Sequence, residues 1–132
     1  MLTPKILKPT VVVVDDSIEV GTVLADLLEI RGGFEVLAVV ASAAQGVETI
    51  ERLHPDVALI DYMLGDGLGS DVVERLRTLG VGSVLVVTSG LGVEVIESTV
   101  LAAGADACIP KAAASRIPDQ IRELLAGVKS AH

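Results

Sequence analysis

Five polar residues of the sequence each follow a short apolar run, and their side chains suit metal and phosphate binding: Asp15, Asp16, Asp61, Thr88 and Lys111. Three carboxylates brought together raise one another's pKa unless a cation compensates their charge. Mg²⁺ does so, since it binds one or two carboxylates, retains waters and takes phosphate oxygens as further ligands. A carboxylate is also a nucleophile that can form an acyl phosphate. If the fold gathers these residues, the set has the chemistry for phosphoryl transfer, which needs mainly positioning and charge neutralisation.

Apolar runs alternate along the chain with stretches whose apolar residues repeat at helical spacing. Five runs rich in Val, Ile, Leu and Ala predict strands: residues 11–14, 34–40, 57–60, 84–87 and 107–109. A helix is predicted after each run, with Ser17 as the N-cap of the first helix. This alternation indicates an α/β fold, a parallel sheet with helices on both faces. Ligands of such sheets bind outside the carboxyl ends of the strands, so the polar residues should meet at one edge.

Composition limits the classes of protein and partner. Of the 132 residues, 51% are hydrophobic and only 2% aromatic, so one domain with an aliphatic core is expected. The formal net charge of −8 argues against direct binding to DNA or RNA, which requires clustered lysine and arginine. It also argues against anionic membranes. An acidic surface suits a protein that meets other proteins or a cation.

Cysteine usage and the start of the chain bear on the compartment. Cys108 is the one cysteine, so no intramolecular disulfide is expected, which fits a reducing cytosol. The first ten residues lack a long apolar segment, and the run 11–14 stops at Asp15. Neither a signal peptide nor a membrane span is therefore predicted, and we expect a cytoplasmic protein.

Each polar residue alone has an ordinary structural explanation. An Asp after a strand is usually a turn residue, and an Asp pair before a helix can cap it. Cys108 is more simply a buried, inert thiol than a reactive one. Gly90-Leu91-Gly92 lacks the third glycine of a dinucleotide site, and Asp15-Asp16-Ser17 lacks the Asp-x-Asp spacing of haloacid-dehalogenase-type phosphatases. The joint arrangement of the five residues at strand ends is what favours a function.

Four stretches, in this order along the chain, resemble the receiver domain of two-component response regulators. They are Val-Val-Val-Val-Asp-Asp-Ser from residue 11, Asp-Val-Ala-Leu-Ile-Asp-Tyr-Met-Leu-Gly-Asp-Gly-Leu-Gly from residue 56, Val-Leu-Val-Val-Thr-Ser from residue 84 and Gly-Ala-Asp-Ala-Cys-Ile-Pro-Lys from residue 104. The resemblance extends from about Lys8 to Leu125, which is nearly the whole chain. It implies a flavodoxin-like, doubly wound sheet of five parallel strands in the order 2-1-3-4-5.

The resemblance implies a phosphoacceptor and a metal site. Asp61 would accept the phosphoryl group and would also be a ligand of Mg²⁺. Asp15 and Asp16 would complete the acidic part of that site, Asp16 directly and Asp15 through water. The backbone carbonyl of Met63 would be a further Mg²⁺ ligand.

The resemblance also implies a conformational switch, and here the sequence departs from the family. Thr88 would bond a phosphoryl oxygen and Lys111 would pair with it. The second switch position, three residues before the lysine, is usually Tyr or Phe but here is Cys108, which has no ring to swing inward. The family often has Pro four residues after the acceptor, whereas Gly65 stands here and loosens that loop. We expect activation to move Thr88 and the loop 89–92.

The resulting prediction is a single receiver domain over residues 1–132, with a core from about 8 to 128 and no output domain. It would take phosphate from a sensor histidine kinase or a phosphotransfer protein and then switch its contacts with an unknown downstream protein. No enzyme activity is expected beyond its own phosphorylation and dephosphorylation. By family analogy, partners or a homodimer would use the fourth helix, fifth strand and fifth helix. The alternative is a receiver-like interaction module that works without phosphorylation, which Cys108 favours and the complete Asp, Thr and Lys set disfavours.

Overall fold

A five-stranded parallel sheet forms the centre of the computed structural model, which describes residues 7–130 and the side chains of residues 7–127. The strands are β1 (Thr10–Val14), β2 (Glu35–Val40), β3 (Val57–Asp61), β4 (Val84–Ser89) and β5 (Ala107–Pro110). Their order across the sheet is β2-β1-β3-β4-β5, and every neighbouring pair is parallel. The predicted flavodoxin-like fold with strand order 2-1-3-4-5 is therefore confirmed.

Four α-helices connect the strands and a fifth follows β5 in the described part of the chain: α1 (Ile18–Gly32), α2 (Ala43–Leu53), α3 (Gly69–Thr78), α4 (Val93–Ala103) and α5 (Ile117–Ser130). Two short elements are not predicted by the sequence pattern, an antiparallel hairpin of Met63–Leu64 with Gly67–Leu68 and a 3₁₀ helix over Lys111–Arg116. Periodicity does not reveal them because each is shorter than the window over which a period can be counted. Within the described part of the chain, no helix combines the length and apolar character that crossing a bilayer requires.

The apolar side chains of the strands alternate between two cores, one on each face of the sheet. Helices α1 and α5 cover the first face, where Leu28 and Ile121 are buried in one cluster with Val13. Helices α2, α3 and α4 cover the second face, where Ile50 and Leu76 are fully buried. The same alternation decides which face the polar residues at the strand ends occupy.

Helix α1 is apolar on two sides. The sequence pattern predicts one stripe, made of Val20, Val23, Leu24, Leu27 and Leu28. Leu24 and Leu28 are buried, but Val23 is 65% exposed. Small residues complete the buried side instead, and a Cβ at Gly21 would lie only 2.8 Å from Cγ1 of Val39. The positions of the large apolar residues alone do not show which side of α1 is buried, because glycine and alanine form part of the side that packs closely on the sheet.

Candidate functional site

The carboxyl ends of β1, β3 and β4 bring predicted site residues to one edge of the sheet. Asp61 and Thr88 are direct register partners on neighbouring strands. Asp15 follows Val14, which pairs with Ile60 immediately before Asp61. Alternation along the strands then places Asp15, Asp61 and Thr88 on the α1 and α5 side of the sheet.

Three carboxylates form an acidic cluster at this edge. One oxygen each from Asp15, Asp16 and Asp61 lies within 4.8 Å of the other two. Asp15 and Asp61 are buried, at 1% and 4% exposure, whereas Asp16 is exposed. Carboxylate oxygens gathered at an open site are the ligands that a hard cation such as Mg²⁺ prefers. The side chains therefore fit a divalent cation.

Lys111 reaches the buried part of the cluster from the start of the 3₁₀ helix. Its Nζ donates to Oδ2 of Asp61 at 3.1 Å and lies 3.0 Å from Oδ2 of Asp15. The contact with Asp15 is an ion pair, and no donor among the described residues is aligned for a hydrogen bond to that oxygen. Three carboxylates and one ammonium leave two negative charges when all are ionised, which matches the charge of one divalent cation.

Among the described residues, Oγ1 of Thr88 is buried without a hydrogen-bond partner, and Oδ2 of Asp15 is buried without an aligned donor, although the ammonium of Lys111 lies 3.0 Å away. No other side-chain atom of the described residues is both buried and unpaired in this way. Leaving a buried polar group unsatisfied costs about 1–3 kcal/mol. Such groups call for an explanation, and a ligand that pairs with both atoms would supply one.

Burial and charge shift the pKa values of two groups in the site. Loss of solvation raises the pKa of Asp61 above its usual 3.8, and repulsion from Asp15 adds to this effect, while hydrogen bonds from Lys111 and Met63 oppose it. Burial by itself lowers the pKa of Lys111, but the contacts with Asp15 and Asp61 outweigh it and raise that pKa above 10.5. Lys111 is therefore a cation at neutral pH, and ionised Asp61 is held in the site at a cost in stability.

The loop after β3 folds back tightly on Asp61. The amide of Met63 donates to Oδ1 of Asp61 at 3.3 Å, and the amide of Gly69 donates to the carbonyl of Tyr62 at 2.7 Å. A Cβ at Gly69 would lie 2.5 Å from the carbonyl oxygen of Asp61, so the close approach requires glycine. The backbone carbonyl of Met63 as a metal ligand stays a prediction.

Cys108 lies apart from the acidic cluster. It is half-buried on β5 and packs against the core that α2, α3 and α4 share. Burial, together with the nearby carboxylate of Glu97, raises the pKa of the thiol above 9.0. The thiol is therefore protonated and unreactive near neutral pH. Its place in a switch stays a prediction.

Asp66 is a residue of the loop that the sequence pattern does not single out. Its carboxylate accepts hydrogen bonds from the amides of Ala43 at 2.7 Å and Ala44 at 3.1 Å, the first two residues of α2. The only signal in the sequence is an Asp within a Gly-rich turn, which is equally typical of an ordinary turn residue. The contact depends on how two distant loops come together, and Ala43 precedes Asp66 by 23 positions.

Comparison with known proteins gives a family match over most of the chain. Residues 11–123 match the family described as the response regulator receiver domain. The chain is 32% identical over 115 residues to protein-glutamate methylesterase/protein-glutamine glutaminase 4 of Geobacter metallireducens, a match that covers 86% of this chain and 33% of that protein. It is 24% identical over 116 residues to the chemotaxis protein CheY of Bacillus subtilis, covering 87% and 96% of the two chains. The chain thus spans about a third of the length of the methylesterase relative.

A solved structure agrees with the sequence match. The CheY-like response regulator receiver domain protein of Methanospirillum hungatei is similar to this chain with a TM-score of 0.85 at 27% identity. The alignment covers 96% of this chain and 100% of that one. The structural similarity therefore extends over nearly the whole chain.

Proposed function

Because the chain belongs to the family of response regulator receiver domains, we propose that it accepts a phosphoryl group on Asp61 in a two-component phosphorelay and then changes its contacts with a partner protein. The observation that carries the proposal is the joint geometry of the carboxylates and the Lys111 ammonium. Three carboxylates lie within 4.8 Å of one another, and Lys111 donates to Asp61 at 3.1 Å. An isolated turn aspartate would have neither neighbour.

Asp61 supplies the nucleophile in the proposed reaction. One of its oxygens attacks the phosphorus of a phosphohistidine, a new O–P bond forms, and the P–N bond breaks as the imidazole nitrogen leaves with the bonding electrons. Lys111 neutralises negative charge on the phosphoryl oxygens, and the unpaired hydroxyl of Thr88 donates a hydrogen bond to one of them. The product is an acyl phosphate at Asp61.

We propose that Asp15, Asp16 and Asp61 hold Mg²⁺, with the backbone carbonyl of Met63 as a further ligand. When bound, Mg²⁺ neutralises charge on the carboxylates and on phosphoryl oxygens. Two features support this assignment, the two negative charges left over in the cluster and the approach of the three carboxylates to within 4.8 Å of one another. Asp16 is exposed and leaves the site open to ions from solution.

An exposed apolar row on α1 is the surface that we propose for docking the phosphodonor protein. The row consists of the exposed Val20, Val23 and Ile30 together with the partly buried Leu27, and these residues repeat at the spacing used when one helix packs along another. Val23 and Ile30 are 65% and 82% exposed. Helix α1 begins directly after Asp15 and Asp16, so a donor helix along this row would lie beside the acidic cluster.

A charge introduced into this row tests the docking surface. Val23→Lys should slow phosphotransfer from a phosphohistidine protein and leave labelling by acetyl phosphate unchanged, because the small donor needs no docking surface. Val95→Lys is the matched control, since Val95 is 70% exposed on α4 and outside the row. Equal transfer rates for both variants would exclude α1 as the donor surface.

The proposed chemistry is limited to phosphorylation and dephosphorylation of the chain itself. The methylesterase activity named for the Geobacter relative does not carry over, because the match covers only 33% of that protein. We place the receiver at about residues 8–128 as one domain; residues 1–6 and 131–132, and the side chains of 128–130, lie outside the described part. By family analogy, α4, β5 and α5 would form the output surface and the contact of a homodimer.

A receiver-like interaction module that works without phosphorylation is the second candidate. Cys108 at the usual aromatic switch position favours it. The buried, unpaired Thr88 hydroxyl and the Lys111 ion pairs favour phosphorylation, because a module that only binds protein has no use for either.

Phosphotransfer separates the two candidates. We expect a radiolabelled phosphohistidine donor to label wild type in the presence of Mg²⁺, and neither Asp61→Asn nor wild type in EDTA. A wild-type chain that resists every donor, together with unchanged partner binding by Asp61→Asn, would favour the interaction module instead.

A further inference from the structure

The loop that carries Met63 is held at two places. At its base, Gly69 donates to the carbonyl of Tyr62 at 2.7 Å. At its tip, both carboxylate oxygens of Asp66 accept backbone amides of α2, from Ala43 and Ala44. Between these points Met63–Leu64 pairs with Gly67–Leu68, and the side chain of Leu64 is buried in the core that α2, α3 and α4 cover.

The tip has little rigidity of its own. Gly65 stands in the turn with open space around the position of a Cβ, so position 65 itself contributes no packing contact. The buried Leu64 anchors the strand before the turn, whereas Asp66 at the tip is exposed. The two hydrogen bonds to α2 therefore fasten the part of the loop that lies beyond Leu64.

The N-terminus of α2, which Asp66 contacts, is well suited to bind a carboxylate. The first amides of a helix have no partner within the helix, and the helix dipole favours negative charge at that end. The two bonds lower the pKa of Asp66, so the group is ionised at neutral pH. Ser42 satisfies a further amide of the same turn, since its Oγ accepts from Gln45 at 3.1 Å.

We propose that Asp66 is a positioning residue for the acceptor, an inference that rests on the proposed function: by fixing the hairpin to α2 it sets the place of Met63 relative to Asp61. Met63 has two proposed connections to the site. Its amide donates to Oδ1 of Asp61 at 3.3 Å, and its carbonyl is the proposed backbone ligand of Mg²⁺. A hairpin released at its tip would displace both groups together.

The test compares two variants that each remove a hydrogen-bond acceptor from the N-terminus of α2. Asp66→Ala removes the cap that belongs to the acceptor loop, and Ser42→Ala removes the cap that belongs to the helix itself. Both should lower the melting temperature, because both leave helix amides unpaired. Only Asp66→Ala should release the hairpin, and Asp66→Asn, which retains one acceptor oxygen, should be intermediate.

Two measurements follow the hairpin and the site separately. Backbone order parameters from ¹⁵N relaxation report the motion of residues 63–68, and we expect them to fall from about 0.85 toward 0.6 in Asp66→Ala but not in Ser42→Ala. Fluorescence of Tyr62, the sole tyrosine in a chain without tryptophan, reports Mg²⁺ binding next to the acceptor. We expect Asp66→Ala to bind Mg²⁺ about 10-fold more weakly, as when a group that orients a metal ligand is lost.

The outcomes distinguish this inference from the proposed function. Unchanged order parameters in Asp66→Ala, or equal loss of Mg²⁺ affinity in Asp66→Ala and Ser42→Ala, would overturn the positioning role while wild type still binds Mg²⁺ and accepts phosphate. A wild-type chain that neither binds Mg²⁺ nor becomes labelled on Asp61 would overturn the proposed function. In that case the order parameters alone still decide whether Asp66 fixes the hairpin.

Discussion

The ammonium of Lys111 lies 3.1 Å from Oδ2 of Asp61, so the proposed acceptor is ion-paired before any phosphoryl group arrives. The same ammonium lies 3.0 Å from Asp15. A phosphoryl group on Asp61 would therefore meet a cation that is already oriented by two buried carboxylates. Such preorganised charge needs little rearrangement when negative charge moves onto the phosphoryl oxygens.

Removal of this ammonium should weaken both the fold and the reaction. Lys111→Met retains an apolar stem but leaves two buried carboxylates without their cation, which should cost roughly 1–3 kcal/mol in the free energy of unfolding without Mg²⁺. Urea denaturation measures this loss, and acetyl phosphate labelling should become slower. Lys8→Met, at an exposed lysine, is the control and should change neither quantity. Wild-type behaviour of Lys111→Met would show that the ion pairs contribute nothing to the site.

The raised pKa of Asp61 predicts the pH dependence of stability without Mg²⁺. The folded protein holds this proton more tightly than the unfolded chain, so the contribution of Asp61 is fully present below its usual pKa of 3.8 and is lost as the pH rises through the raised value. Asp61→Asn does not ionise and should lack this loss, so its melting temperature at neutral pH should exceed that of wild type. Thermal unfolding between acidic and neutral pH measures the difference. A lower melting temperature for Asp61→Asn at neutral pH would contradict the sign of the shift.

Mg²⁺ should stabilise the folded chain because it binds the gathered carboxylates and not the unfolded chain. At ten times its Kd, the gain in the free energy of unfolding should be about 1.4 kcal/mol. Asp16→Asn, at the exposed member of the cluster, should lose most of this gain. Asp26→Asn, an exposed acid on α1 outside the cluster, should keep it. A wild-type melting temperature that does not respond to millimolar Mg²⁺ would count against the metal site.

Alanine should destabilise the fold at one glycine of the acceptor loop and have little effect at another. A Cβ at Gly69 would meet the carbonyl oxygen of Asp61 at 2.5 Å, so Gly69→Ala should destabilise the fold by about 1–3 kcal/mol and slow labelling. A Cβ at Gly65 would meet nothing within 4 Å, so Gly65→Ala should stay within about 0.5 kcal/mol of wild type. Denaturant unfolding of the pair is the measurement. Equal effects would mean that the loop does not approach Asp61 as described.

The switch should work through the backbone after β4 rather than through an aromatic ring. Within the loop 89–92, Oγ of Ser89 accepts a hydrogen bond from the amide of Leu91 at 2.9 Å. Beryllofluoride, a mimic of the aspartyl phosphate, should shift the NMR amide signals of this loop and of α4. Cys108→Ala should preserve these shifts, and Thr88→Ala should lose them because the hydroxyl that contacts the phosphoryl group is gone. Unchanged loop signals in wild type would argue against this route.

The sheet and the residue types of the site follow from the sequence for physical reasons. Runs such as 11–14 and 84–87 are continuously β-branched or aliphatic, which is typical of strands covered on both faces. Parallel strands place their carboxyl ends together, so Asp15 and Asp61 are expected near each other before any distance is known. The position of Asp15 and Asp61 at the ends of apolar runs therefore predicts that these two residues meet.

The remaining features depend on contacts between distant parts of the chain. Asp66 and Ala43 meet through the packing of two loops, and neither residue has a distinctive local signal. The exposure of Val23 depends on which side of α1 faces the sheet, and glycine and alanine on the packed side obscure this. The unpaired hydroxyl of Thr88 depends on every neighbouring donor and acceptor. Local patterns do not contain these relationships.

The most direct measurement for the phosphoacceptor assignment is to locate the label after reaction with acetyl phosphate and Mg²⁺. Borohydride reduces an aspartyl phosphate to homoserine, and peptide mass spectrometry then identifies its position. We predict that wild type gains the mass of one phosphoryl group, that homoserine is found at position 61, and that Asp61→Asn gains none. Labelling at another residue, or undiminished labelling of Asp61→Asn, would contradict the assignment of Asp61.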